Sequence, residues 1–197
     1  MFLSLPASVA LLVGSEEIIS ALFGYGSFNV DAVVNSSNAL FYFGLGLPAF
    51  ALIKVFSSFF FANNDTKTPF YISFVSVILN IIISLYFFQD FGFIIIPIAT
   101  TFSSWFNSLI LFIFLINRDL FKFNKIFFIN FIKIIFASIM MGLFFNYLIL
   151  IFENQLNYDY NYKSFYLILS VLLGLAFYLL LSFLIKAFNY TDLKLRY

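Results

Sequence analysis

The sequence predicts an all-α membrane protein, a polytopic bundle of six transmembrane helices. Three observations carry that expectation. The 197 residues are 63% hydrophobic and only 10% charged, where a soluble domain carries about 25% charged residues. The apolar runs are unbroken and mean hydropathy is +1.06. The strands of a transmembrane barrel would instead alternate polar and apolar residues, and in lipid only helices and closed barrels satisfy every backbone polar group. Finally, the loops between the runs hold their bases on alternate sides.

A spanning helix needs about 20 apolar residues. Segments two to six, at 39–62, 70–88, 93–116, 126–152 and 165–185, each reach that length. Segment one differs. Its clean apolar part covers 2–13, followed by Gly14, Ser15, Glu16 and Glu17, then a second apolar patch at 18–23. Either one helix runs through both glutamates, or the chain starts partway through a helix and the glutamates lie at its end. Charges at mid-membrane are expensive, which favours the second. No basic n-region or small-residue cleavage site marks a signal peptide. The expectation is the C-terminal part of a longer protein.

The loops orient the bundle. Loop 63–69 holds Lys67 and Asp65; loop 117–125 holds Arg118, Lys122 and Lys125 against Asp119; the tail from Lys186 adds Lys194 and Arg196. The other connections hold Asp31, Asp90, Glu153 and Asp159, with Lys163 as their one base. By the positive-inside rule the basic side is cytoplasmic, and with six spans both chain ends face the cytoplasm.

Several chemistries are excluded. With no Cys and no His there are no disulfides, thiol nucleophiles, Cys/His zinc sites or imidazole acid–base groups. A net charge of +1 gives no case for nucleic acid. No Walker loop, nucleotide fingerprint, catalytic triad or metal-ligand spacing occurs, so the chain reads as no enzyme and no ATP-driven pump.

Polar residues inside the spans carry what function the residues reveal. Ser73, Ser76, Asn80 and Ser84 share one helical face of segment three. Thr100, Ser104 and Asn107 share one face of segment four, with Thr101, Ser103 and Ser108 beside it. Such stripes turn away from lipid, as hydrogen-bonding contacts between helices or as the wall of a wet cavity or cation site. Lys54 lies inside segment two, eight residues from Ala62, about 12 Å of helix. It either snorkels to the surface or faces a cavity, where it would contact an anionic substrate. Lys133, about two turns into segment five, reads as a snorkeller. In Gly44-Leu45-Gly46-Leu47-Pro48 the proline removes a donor and crowds the carbonyl of Gly44, giving a hinge or a fixed bend; Pro6 and Pro97 do the same more weakly. Ser170, Gly174, Tyr178 and Ser182 recur at strict fours in segment six, a pattern for close helix packing.

Several stretches resemble the C-terminal half of the MurJ/MviN family of lipid II flippases, in the multidrug/oligosaccharidyl-lipid/polysaccharide exporter superfamily. Leu5-Pro6-Ala7-Ser8-Val9-Ala10-Leu11 resembles the family's ninth helix, and Phe23-Gly24-Tyr25-Gly26-Ser27-Phe28 its F-x-x-G-x-F turn. Gly46-Leu47-Pro48-Ala49-Phe50 with Lys54-Val55 resembles the tenth helix. Asn64-Asp65-Thr66-Lys67-Thr68-Pro69 is similar to the D-T-x-T-P loop opening the eleventh, and Ala99-Thr100-Thr101 through Trp105-Phe106-Asn107 to the twelfth. The resemblance is most specific over 5–108. It implies helices nine to fourteen of fourteen. Residues 1–117 would be four core helices of the C-terminal lobe, the first of them short, and 118–197 two additional helices with a cytoplasmic tail.

The resemblance further implies a protein of the bacterial cytoplasmic (inner) membrane. It would move lipid-linked peptidoglycan precursor, for cell wall biogenesis, by alternating access between two lobes. Its partners would be the lipid-linked saccharide, membrane lipids and the missing N-terminal lobe. No cofactor is implied beyond a coupling cation such as sodium, which in some members lies at positions matching Asn80, Ser84, the carbonyl of Ile96 and Thr100. Those members have a carboxylate where this chain has Ser84. The arginines that grip the substrate headgroup in the family fall outside this sequence, so the 197 residues alone are expected not to transport. The alternatives are a flippase for another polyprenyl-linked saccharide, a cation-coupled exporter of the same superfamily, or a non-transporting membrane half-protein.

Overall fold

The computed structural model describes residues 1–120 and 125–187, without the side chains of 125–127. Those residues form eight α-helices and one short 3-10 turn, with no strand. The bases expected at Lys122, Lys194 and Arg196 lie outside the described residues.

Helices α1 (Ser4–Val13) and α2 (Ser15–Phe23) divide segment one. They meet at Gly14 with a bend of 80°. A side chain at Gly14 would stand 2.6 Å from the Phe145 ring, so glycine lets the backbone pass. The break places Glu16 and Glu17 in the first turn of α2, where the exposed N–H groups of a helix start favour carboxylates. No helix runs straight through them.

Helix α3 (Val30–Ala62) starts well before the apolar run at residue 39. Asn29 accepts the N–H of Ala32 through Oδ1 at 2.9 Å, the contact that starts helices at polar residues. Asp31 therefore sits in the first turn of the helix. Helix α4 (Lys67–Phe91) and helix α5 (Ile95–Asn117) flank a 3-10 turn at Gly92–Ile94. Gly92 has φ +60° and ψ −144°, a conformation essentially reserved for glycine. Its N–H closes α4 on the Phe88 carbonyl. Helix α6 (Lys125–Ile151), the short α7 (Glu153–Leu156) and α8 (Lys163–Leu184) follow.

Length and apolarity give four candidate spans, or five if the bent pair is one. One of the four is the run Lys67–Asn117. Dividing it at the Gly92 turn into α4 and α5 gives the six segments read from the sequence. Asn107 contacts Ser73 and Asn80 contacts Thr100: as one number rises by seven the other falls by seven, so α4 and α5 run antiparallel.

By proximity the chain forms two compact units, Met1–Ser37 with Asn124–Tyr197, and Asn38–Phe123. This grouping is spatial, whereas the division at 117/118 rests on family correspondence. In the first unit α1, α2, α6, α7 and α8 enclose Ala137, Met141, Phe145, Leu167 and Tyr178. Ser170, Gly174, Tyr178 and Ser182 all face inward. In the second unit the end of α3 meets α4 and α5 over Phe56, Phe60, Ile72, Leu111 and Leu115. The outer surfaces are apolar, with Leu85 74% and Leu184 72% exposed, as suits helices bathed in lipid.

Candidate functional site

The antiparallel pairing brings the two predicted polar stripes face to face. The hydroxyls spend their protons at home. Ser76 donates to the Ile72 carbonyl at 2.8 Å, Thr100 to Ile96 at 2.8 Å, and Ser104 to Thr100 at 2.7 Å, the back-bonding that Ser and Thr favour inside helices. The asparagines reach across instead. Asn80 Nδ2 donates to Thr100 Oγ1 at 3.1 Å and to Ser103 Oγ at 3.3 Å, and Asn107 Nδ2 donates to Ser73 Oγ at 3.3 Å. Between the helices lies a groove of about 270 Å³ lined by Ser73, Ser76, Val77, Asn80, Thr100, Ser103, Ser104 and Asn107. The stripes thus supply both an interhelical contact and a polar wall.

The four positions implied for sodium lie at the Gly92 end of this seam. Thr100 holds the Ile96 carbonyl and Asn80 turns its N–H₂ toward Thr100. The Ser84 hydroxyl is buried without a hydrogen bond. Hard cations want several converging oxygens, usually with a carboxylate among them. Here all four groups are neutral, two hold each other, and no cluster of three acidic or His/Cys residues occurs among the described residues. As it stands, the set is a hydrogen-bonded contact rather than a cation cage.

The glycine–proline turn of α3 packs on α5. Helix α3 continues through Pro48. Thr101 Oγ1 donates to the Tyr42 carbonyl at 2.7 Å, and Trp105 Nε1 to the Leu45 carbonyl at 3.0 Å. The two acceptors lie six and three residues before Pro48. A side chain at Gly46 would stand 2.8 Å from Thr101 Oγ1, so the glycine lets the two helices touch. Gly44, Gly46 and Pro48 are therefore buried and braced from outside α3. Lys54 is exposed, six residues beyond Pro48, and its carbonyl accepts the Ser58 hydroxyl at 2.7 Å.

Two further clusters were hidden from sequence reasoning. Asp65 accepts the Thr68 N–H at 3.0 Å and the Thr68 hydroxyl at 2.6 Å. It also pairs with Arg118, whose guanidinium donates to Thr68 Oγ1 at 3.1 Å and lies over the Phe60 and Phe114 rings. The Thr68 donors, and then Arg118, hold the Asp65 carboxyl at about 2. A depressed carboxyl favours folding above its ordinary range and loses that contribution as pH falls toward 2, so the clasp is intact at neutral pH. The Asp–x–x–Thr spacing was the available signal for the start of α4; nothing local points to Arg118, 53 residues away.

Lys163 is the second surprise. Read from sequence as a loop base, it is 0% exposed. Its Nζ donates to the carbonyls of Gly24 and Tyr158, both at 2.6 Å, and stands 4.4 Å from the ring centres of Tyr25 and Tyr158. Lys133 Nζ, by contrast, reaches the Lys186 carbonyl past the end of α8 at 3.2 Å.

The sequence profile of the family described as "Lipid II flippase MurJ" matches residues 1–169. The chain belongs to the MurJ family. Three relatives carry the name "Probable lipid II flippase MurJ". That of Rhizobium meliloti (strain 1021) is 42% identical over 60% of this chain and 22% of its own length. That of Rickettsia prowazekii (strain Madrid E) is 29% identical over 98% of this chain and 38% of its own. That of Thermotoga maritima is 33% identical over 94% and 36%. A solved structure titled "Lipid II flippase MurJ, inward closed conformation" superposes with a TM-score of 0.75 at 26% identity, covering 98% of this chain and 37% of the other. The chain thus spans under two fifths of the length of these MurJ proteins.

Proposed function

We propose that this chain works as the C-terminal portion of a lipid II flippase. It would help move lipid-linked peptidoglycan precursor across the bacterial cytoplasmic membrane by alternating access. Both chain ends would lie in the cytoplasm, and the remaining lobe would be supplied by sequence that the longer relatives contain. The carrying observation is the likeness to the solved flippase over 98% of the chain. The names of the relatives favour lipid II over another polyprenyl-linked saccharide. In this reading Lys54, an exposed base inside α3, is available to an anionic headgroup, whereas Lys163 is enclosed and Lys133 Nζ is bonded to the Lys186 carbonyl. The residues matched to a sodium site bond one another and carry no carboxylate.

The test is a chimera in which this chain replaces the matching segment of the Rickettsia prowazekii relative. Purified and reconstituted, the chimera should translocate labelled lipid II within about tenfold of its parent, and the 197 residues alone should not translocate it. A correctly inserted chimera with no translocation would overturn the proposal. Lys54→Gln in the chimera should lower translocation; full activity leaves Lys54 as a snorkelling side chain.

A further inference from the structure

The turn between α7 and α8 interleaves aromatic rings with hydrogen-bonding groups. Along Asn157-Tyr158-Asp159-Tyr160-Asn161-Tyr162 the alternate side chains Asn157, Asp159 and Asn161 are all exposed. Of the three rings, Tyr158 turns inward, and its hydroxyl donates to the Phe28 carbonyl at 2.7 Å. Tyr160 and Tyr162 stay outside, the latter 71% exposed. Their ring centres lie 6.3 Å apart with the planes inclined at 66°, so the two form an aromatic corner. Tyr166 backs this corner, 6.0 Å from Tyr160. A tyrosine at the membrane interface needs only a wet end for its hydroxyl. Here each outer ring also has a carboxylate or an amide beside it in the chain.

The corner is held in shape before anything binds. Lys163 Nζ ties the Tyr158 carbonyl to that of Gly24. Ser164, next in the chain, donates to the Ala21 carbonyl at 2.6 Å and shares a hydrogen bond of 2.7 Å with the Tyr25 hydroxyl. A surface already ordered loses little conformational freedom on binding.

Charge narrows the partner. Enclosing Lys163 withdraws the one base of this end of the unit. Its exposed charges are then carboxylates: Glu153 and Asp159 in and before the turn, and Asp31 three residues beyond Phe28. Lys133 and Lys186 meet at the far end of α8, whose 22 residues rise about 33 Å. Such a surface repels phosphates and other anionic groups. A neutral sugar ring suits it. The C–H face of the sugar is apolar enough to lie on a tyrosine ring, and its hydroxyls need the donors and acceptors that amides and carboxylates carry.

We propose that the turn at 157–162 is a binding surface for neutral glycan, with a sugar ring stacked on Tyr162 against Tyr160 and its hydroxyls bonded to Asp159 and Asn161. The inference rests on this turn alone and makes no use of the flippase reading.

The test is saturation-transfer NMR on the 197-residue protein in phosphatidylcholine nanodiscs, with the aromatic protons saturated and chitotetraose, a neutral oligosaccharide, as the probe. Transfer to the sugar should appear with the protein and not with empty nanodiscs. Tyr162→Ala should reduce it at least about fivefold, whereas Tyr162→Phe, which keeps the ring, should stay within about twofold. Asp159→Ala should reduce it about threefold. Phe70→Ala removes a ring of similar exposure, 65%, from the side of α4 and should change nothing. No transfer to chitotetraose, or equal transfer with Tyr162→Ala, would mean that the rings serve only the membrane interface and would overturn the proposal. Decalysine is run in parallel, because the carboxylates would also attract a cation. Transfer to decalysine alone, abolished by Tyr162→Ala, would give the surface to a cationic partner and overturn the proposal as well.

Discussion

The α4–α5 seam and the α6–α8 seam both carry hydroxyl residues, yet the first also joins its helices through amides. Ser138 and Ser170, on α6 and α8, donate to the carbonyls of Ile134 and Tyr166 in their own helices, each at 2.8 Å. Contact between α6 and α8 is carried largely by shape, beside a hydrogen bond between the Tyr178 and Ser138 hydroxyls: Phe144 and Phe177 stack with centroids 4.4 Å apart, and Met141 and Phe145 fill the interior. In the α4–α5 seam Asn80 and Asn107 cross from one helix to the other. The difference follows from the side chains. A hydroxyl has one proton and can place it on a carbonyl one turn back. An amide has two donors and an acceptor, more than its own helix absorbs, so it must seek partners elsewhere. Serine inside a span is weak evidence of a site; asparagine is stronger.

That contrast has an exception at the end of the apolar unit, which yields the largest expected effect. Lys163 is enclosed and holds two carbonyls. Lys163→Met keeps the stem and removes both bonds, leaving two acceptors facing an apolar group at about 1–3 kcal/mol each. The expected loss is about 3 kcal/mol in equilibrium unfolding in detergent. A loss below about 1 kcal/mol would mean that the ammonium reaches solvent and that packing alone holds the Gly24 turn against the start of α8.

Next in size is a pair of glycine substitutions. Gly46→Ala in α3 sets a methyl 2.8 Å from Thr101 Oγ1 and 3.2 Å from the Phe50 ring. Overpacking of this kind costs about 1–3 kcal/mol, and here the displaced hydroxyl also holds the Tyr42 carbonyl. Gly174→Ala in α8 meets Met141 and Phe145 at 3.7 Å, ordinary contact, and should be neutral or gain up to about 1 kcal/mol from helix propensity. Unfolding of the two variants side by side tests whether α3 and α5 approach more closely at Gly46 than α8 and α6 do at Gly174. Equal effects would erase the distinction.

These cases show what was legible beforehand. Six apolar segments and two matched polar stripes were readable because hydrophobic length and helical periodicity are local. The family was readable from short stretches such as Gly46-Leu47-Pro48-Ala49-Phe50. The break at Gly14 was not, because it depends on Phe145, far along the chain. Arg118 and Lys163 were counted as loop charges because their partners, Asp65 and Gly24, are brought near only by folding. The Gly46 turn read as a hinge or a bend; Thr101 and Trp105 brace it, a contact between residues about 60 apart.

The smallest effect decides how the α4–α5 seam is held. Asn80 donates to Thr100 and Ser103, but hydrogen bonds between transmembrane helices average only about 0.6 kcal/mol, because the separated helices also find partners. A cycle of Asn80→Leu, Thr100→Val and the double variant should therefore give a coupling near 0.6 kcal/mol. Thr100→Val also removes the proton held by the Ile96 carbonyl, but that loss enters the single and double variants alike and cancels in the cycle. A coupling near zero would mean that Asn80 finds water in the groove as good a partner as Thr100. A coupling above about 1.5 kcal/mol would mean that the seam is dry, since only exclusion of water raises an amide–hydroxyl contact so far.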